Sequence, residues 1–162
     1  MVKRTITPEI LSGNIIDIHA HCGLAIKAYA AGEYPYCQSV EDLLYKRRVN
    51  GVGYGVVFPF SSDLFFNIPK AAKEGVLVPA SEALAPAPFV LENKLLFQEI
   101  FHYNSEHSDR LLPFIIFDPE RNAQAQVEAA KVLEKEYPIY GIKIVPVSTQ
   151  AKVTALLNEG AP

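Results

Sequence analysis

The sequence predicts a parallel α/β fold. Four short runs of β-branched and aromatic residues are spaced along the chain, a helical pattern separates most of them, and each run is followed by polar or helical sequence. The order strand, loop, helix, strand suits parallel pairing, because a strand that returns in the same direction needs a crossover, usually a helix. The size agrees: 162 residues, 49% apolar and 20% charged, make about one globular domain with a real core. The whole chain, residues 1–162, is read as that domain.

The first run is Asn14 to His21. Ser39, with Asp42 three residues on, then marks the start of a helix whose apolar stripe is Val40, Leu43 and Leu44 and whose end is Gly51. The second strand is Gly53 to Phe60. A longer helix, from about Leu91 to Glu106, repeats Leu91, Leu95, Leu96, Ile100 and Tyr103 at helical spacing and leads to the third strand, Leu111 to Phe117. The clearest helix follows, with Ala123, Val127, Ala130, Leu133 and Tyr137 on one face and Pro138 just beyond. Asp118 and Pro119 look like its cap and first residue. Gly141 to Val145 is the fourth strand, and a final helix is expected over Thr149 to Asn158.

Two connections exceed what packing needs: Gly23 to Gln38, with Tyr29, Tyr34, Tyr36 and Cys37, and Ser61 to Val90, rich in Pro, Ala and Phe. Both leave the C-terminal end of a strand, the end where α/β proteins bind ligands.

Composition narrows the partners. A net charge of −3, from 15 basic and 18 acidic side chains, gives no electrostatic reason to expect nucleic acid or an anionic membrane. The longest apolar stretches fall far short of the roughly 20 residues that span a bilayer. Two cysteines, Cys22 and Cys37, cannot staple a fold of this size, and Met1 to Ser12 lacks the apolar segment of a secretory signal, so a cytoplasmic chain with reduced thiols is expected. Neither GxSxG, a P-loop, a CxxC pair nor GxGxxG occurs.

The strongest chemical signal is Asp17-Ile18-His19-Ala20-His21-Cys22-Gly23. Strand alternation places Asp17, His19 and His21 on one face and turns Ile16 and Ile18 into the helix layer. Two imidazoles about 7 Å apart at Cα can lean toward one ion, so His19 and His21 are candidate metal ligands closing the first strand. The bland alternative is a pair of histidines satisfied by their neighbours. Lys143 is the second signal: Ile142 and Ile144 share the helix-facing side, which leaves Gly141, Lys143 and Val145 inward. An inward lysine can pair with a substrate carboxylate, act as a base, carry a carbamate between two metals, or simply snorkel to the mouth. His102 and His107, five apart, are surface or packing residues, and Cys22 turns to the opposite face from His21.

These residues resemble the amidohydrolase superfamily, in particular the amidohydrolase-2 branch of metal-dependent TIM-barrel hydrolases. The stretch Ile15 to Gly23 is similar to its opening D-x-H-x-H; Ser39 to Leu44, Val56-Val57-Phe58-Pro59, Phe117-Asp118-Pro119-Glu120 and Tyr140 to Pro146 resemble its next elements in order. The resemblance implies a zinc-like divalent ion on His19 and His21, a site role for Lys143, and a small-molecule substrate whose amide, ester or lactone bond is cleaved by metal-activated water. Some relatives decarboxylate aromatic acids instead. The chain departs from the pattern at Val145, where members often carry histidine. A (β/α)₈ barrel takes around 250 residues, so about four βα units fit here. The expectation is therefore a partial TIM barrel, the N-terminal half of such a hydrolase, either lacking its later ligands, pairing with a second copy across its open sheet edges, or persisting as an inactive assembly module.

Overall fold

The computed structural model describes residues 7–8, 12–24, 37–60, 64–152 and 154. Five strands, β1 (Ile15–Leu24), β2 (Cys37–Gln38), β3 (Val52–Pro59), β4 (Leu111–Phe117) and β5 (Gly141–Ile144), form one sheet in the order β2-β1-β3-β4-β5. β1, β3, β4 and β5 are mutually parallel, and β2 is a short antiparallel addition to the end of β1. Each parallel strand therefore lies beside its predecessor in that series, with helices between.

Local chemistry explains the helices. α1 (Val40–Val49) begins where the Ser39 hydroxyl accepts from the Asp42 N–H at 3.1 Å, carries Glu41 and Asp42 in its first turn, and has Lys46, Arg47 and Arg48 in its last. α2 (Ile68–Glu74), within the long second connection, is capped by Asn67 and stopped by Gly75 in the left-handed conformation. α3 (Val90–Gln98) passes into a π-helical turn, Glu99–Tyr103, then a 3₁₀ turn, Ser105–Arg110. The predicted single helix from Leu91 to Glu106 is thus three pieces. α4 (Ala123–Glu136) carries the most pronounced apolar stripe and packs Leu133 and its flanking Tyr137 onto the sheet.

The helix-facing core joins Ala20 and Cys22 of β1, Val57 of β3, Leu111 and Ile115 of β4, Val40 and Leu43 of α1, and Leu96, Phe97 and Ile100 of the α3 segment. Each such large side chain, fully buried, contributes about 1.5–3 kcal/mol. On the opposite face Phe58, Phe89 and Ile116 form a second cluster with Val56, Phe114 and Val145. The β3–β4 pairing joins Gly55–Val57 to Leu111–Pro113. Above it, Asn93 of α3 bonds the Ile116 main chain, accepting from its N–H at 2.8 Å and donating to its carbonyl at 2.9 Å. The side chain supplies what an adjacent strand would otherwise provide.

Several expectations are corrected. β1 runs on to Leu24, so the two histidines stand within the strand rather than closing it. Ile18 is 75% exposed and Ile142 59%, so neither enters a helix layer. Asp118 does not cap α4, which starts after Asn122; it is buried, accepts from the Glu120 N–H at 2.9 Å and pairs with Arg121 at 2.7 Å. The last helix, α5 (Pro146–Thr149), ends where the expected one was to begin, with Gln150 in the left-handed conformation. Tyr29, Tyr34, Tyr36 and most of the region beyond Lys152 lie outside the described residues. Among the described residues no helix is long and apolar enough to cross a membrane.

Candidate active site

The histidine pair owes its orientation to an irregularity in β1. Asp17 pairs with Gly55 and Ala20 with Val57, so three steps along β1 match two along β3. One extra residue is a β-bulge, and it reverses the alternation between Asp17 and Ala20. Asp17 consequently does not share a face with His19 and His21, as strict alternation had suggested. It turns to the helix side, where Arg47 Nη2 of α1 lies 3.3 Å from its Oδ2. Its Oδ1 accepts from the His19 N–H at 3.0 Å.

Past the bulge, His19 and His21 face away from Ala20 and Cys22. Their rings converge: Nε2 of His19 lies 3.0 Å from Nε2 of His21, with centroids 5.0 Å apart and ring planes tilted by 55°. Nδ1 of His21 lies 2.9 Å from the Pro59 carbonyl oxygen. A carbonyl only accepts, so His21 Nδ1 carries the proton and Nε2 presents its lone pair. In the neutral pair, His19 Nε2–H donates to it. The His21 carbonyl in turn accepts from Gln38 Nε2 at 3.0 Å, and Lys46 Nζ donates to Gln38 Oε1 at 2.9 Å.

Phe58 is the floor of this arrangement. Its ring centroid lies 5.3 Å from that of His19, 5.4 Å from that of His21 and 5.8 Å from that of Phe114. Lys143 reaches the same floor from β5: the register Ile116↔Lys143 keeps it on the histidine face, and Nζ lies 4.9 Å from the Phe58 centroid. That is a cation–π distance. The His19 imidazole is held below the ordinary histidine value, first by desolvation, then by the positive charge of Lys143 and by His21, while Asp17 pulls the other way. A cavity of about 520 Å³ opens beside the pair, lined by Asp17, His19, His21, Gln38, Lys46 and Arg47 among others.

The two nitrogens fit half of a metal centre. Donors about 2.0–2.1 Å from one tetrahedral ion stand roughly 3.4 Å apart, so a small ring rotation from 3.0 Å makes room. The Nδ1–H bond to a main-chain carbonyl is the support that metal-bound histidines commonly have. Among the described residues no group of three or more His, Cys, Asp or Glu side chains could hold an ion together. His102 and His107 lie away from this face, the first bonded to the Tyr137 hydroxyl at 2.7 Å and the second exposed beside Glu106. Cys22 is buried on the helix side, 3.8 Å from the Ser39 carbonyl. A separate, mostly apolar cavity of about 300 Å³ lies between α3 and α4, lined by Asn93, Ile115, Leu133 and Tyr137 among others.

The residues singled out in the sequence, His19, His21 and Lys143, come together at the Phe58 ring, while their supports were not singled out. Phe58 and Pro59 read as ordinary strand residues. Arg47 carried a signal: it extends the stripe of Val40 and Leu43, a position that otherwise takes an apolar residue. Comparison with known protein families, curated proteins and solved structures found no match to this chain.

Proposed function

We propose that this chain contributes half of the divalent-metal site of an amidohydrolase-type hydrolase, with His19 and His21 as ligands to a zinc-like ion. The observation that carries the reading is the 3.0 Å approach of two Nε2 atoms, one of them fixed as a lone-pair donor by the Pro59 carbonyl. When bound, the ion would polarise a water for attack on an amide, ester or lactone carbonyl. His21 holds its donor atom in place through Nδ1, and Phe58 shields one side of both rings from solvent. Lys143 offers a fixed positive charge to an anionic group of the substrate.

Two nitrogens are one short of the three protein ligands of a usual catalytic zinc, so the reading includes further donors from outside the described residues. The sequential parallel strand order suits part of a (β/α)₈ barrel. Exposed Ile15 and Ile18 on β1 and Ile142 on β5 suit a sheet whose outer strands are covered, by more of the barrel or by a second copy. A second reading, decarboxylation of an aromatic acid at the same site, is favoured by the ammonium of Lys143 over an aromatic floor.

The test is turnover of ester, lactone, amide and aromatic carboxylate substrates with added zinc or manganese. Metal-dependent cleavage, lost with chelator and in His19→Ala, is the expected result; carbon dioxide release selects the second reading. Absence of turnover with every substrate overturns both assignments.

A further inference from the structure

The histidines take their side of the sheet from a device on the opposite side. Without the extra residue in β1, Asp17 and the two histidines would alternate onto one face. The bulge divides them, and three residues from three elements meet where it forms. Asp17 spends one carboxylate oxygen on the His19 N–H at 3.0 Å, closing a short side-chain-to-backbone ring across Ile18. The other oxygen receives Arg47 Nη2 at 3.3 Å. Arg47 is only 5% exposed, and it lies where a side chain at residue 55 would be: a Cβ on Gly55 would overlap the guanidinium.

The arrangement is costly by ordinary standards of packing. Arg47 occupies a core position of α1 beside Val40 and Leu43, and its Nε and Nη1 are buried with no hydrogen-bond partner among the described residues. An apolar side chain there would fill the same stripe without a desolvated charge. What the guanidinium does that an apolar group cannot is fix the carboxylate whose other oxygen holds the His19 amide.

We infer that Gly55, Arg47 and Asp17 form a clamp for the β1 bulge, making Asp17 and Arg47 positioning residues for the His19–His21 pair. Asp17, despite its place in the D-x-H-x-H string, is in this assignment an orienting group and not a ligand. The role of the pair as a metal site rests on the proposed function above; the clamp itself is a statement about the apo chain and is read separately.

The experiment measures backbone amide exchange and zinc affinity in wild type, Asp17→Asn, Asp17→Ala and the double variant Asp17→Ala/Arg47→Met. The double variant removes both charges, so no guanidinium is stranded in the core. In Asp17→Ala and in the double variant, the His19 amide should exchange about tenfold faster or more, while Ile115 and Ile116 amides of β4 keep their protection. Asp17→Asn retains an acceptor and should restore most of the His19 protection. Zinc affinity should fall about 10–100-fold with the loss of the clamp, as for other supporting groups around a metal, and recover partly in Asp17→Asn. Wild-type His19 protection in a folded double variant overturns the clamp. Unchanged zinc affinity beside a deprotected His19 amide overturns its positioning role. A wild-type chain that takes up no zinc refutes the metal reading and leaves the clamp to be judged by exchange alone.

Discussion

Nδ1 of His21 stands 2.9 Å from the carbonyl oxygen of Pro59, the last residue of β3, so one main-chain atom of a neighbouring strand selects the tautomer of a β1 side chain. The consequence is visible without any metal. Nitrogen-15 NMR of the neutral apo chain should show His21 protonated at Nδ1 and His19 at Nε2, the arrangement that lets His19 donate to His21. Protonation of His21 at Nε2 would contradict it.

Gly55→Ala should be among the most damaging small substitutions in the chain. The added methyl displaces the Arg47 guanidinium from Asp17, its acidic partner among the described residues. The pair is only half buried, with Arg47 5% and Asp17 36% exposed, so the cost is that of a buried guanidinium left without its partner, about 1–3 kcal/mol, and a loss in that range is expected in urea denaturation. A change under about 1 kcal/mol, the level of a tolerated core swap, would show that the guanidinium has room to move.

Asn93→Ala should cost about 2–3 kcal/mol, because it removes two hydrogen bonds and leaves both main-chain groups of Ile116 without the side chain that serves them. Asn93→Asp keeps the acceptor for Ile116 N–H and loses the donor, so its carbonyl should be the group left wanting. Equal stability of wild type and Asn93→Ala would mean that water or a strand replaces the amide.

Acid should weaken the metal-free fold through His19. Its folded value lies below the ordinary 6.5, so the unfolded chain takes up a proton more readily. This contribution is fully present above about pH 6.5 and is lost as the pH falls below it, toward and past the folded value. Denaturation of wild type and His19→Ala in chelator at pH 7.5 and 5.5 isolates it: wild type should lose more on acidification. Parallel losses would contradict the assignment.

Much of this was legible in the residues. The third strand, Leu111 to Phe117, was placed at its observed ends, Ser39 announced α1, and strand alternation put His19 and His21 on one face as each other's neighbours. The bulge was not legible, since Asp17-Ile18-His19 reads as clean alternation and only pairing with β3 reveals the extra residue. Its traces were an arginine in the Val40–Leu43 stripe and a glycine, Gly55, in a strand of β-branched and aromatic neighbours. Asp118-Pro119 has the chemistry of a helix start, yet the nearby Arg121 claims the carboxylate and the helix waits until Ala123.

Zinc titration of the metal-free chain by calorimetry, beside His19→Ala and His21→Ala, tests the central claim most directly. The account predicts saturable binding of one ion per site in wild type and its loss in both variants, with the fold intact by circular dichroism. Wild-type chain that binds no zinc, or variants that bind it as well as wild type, would contradict it.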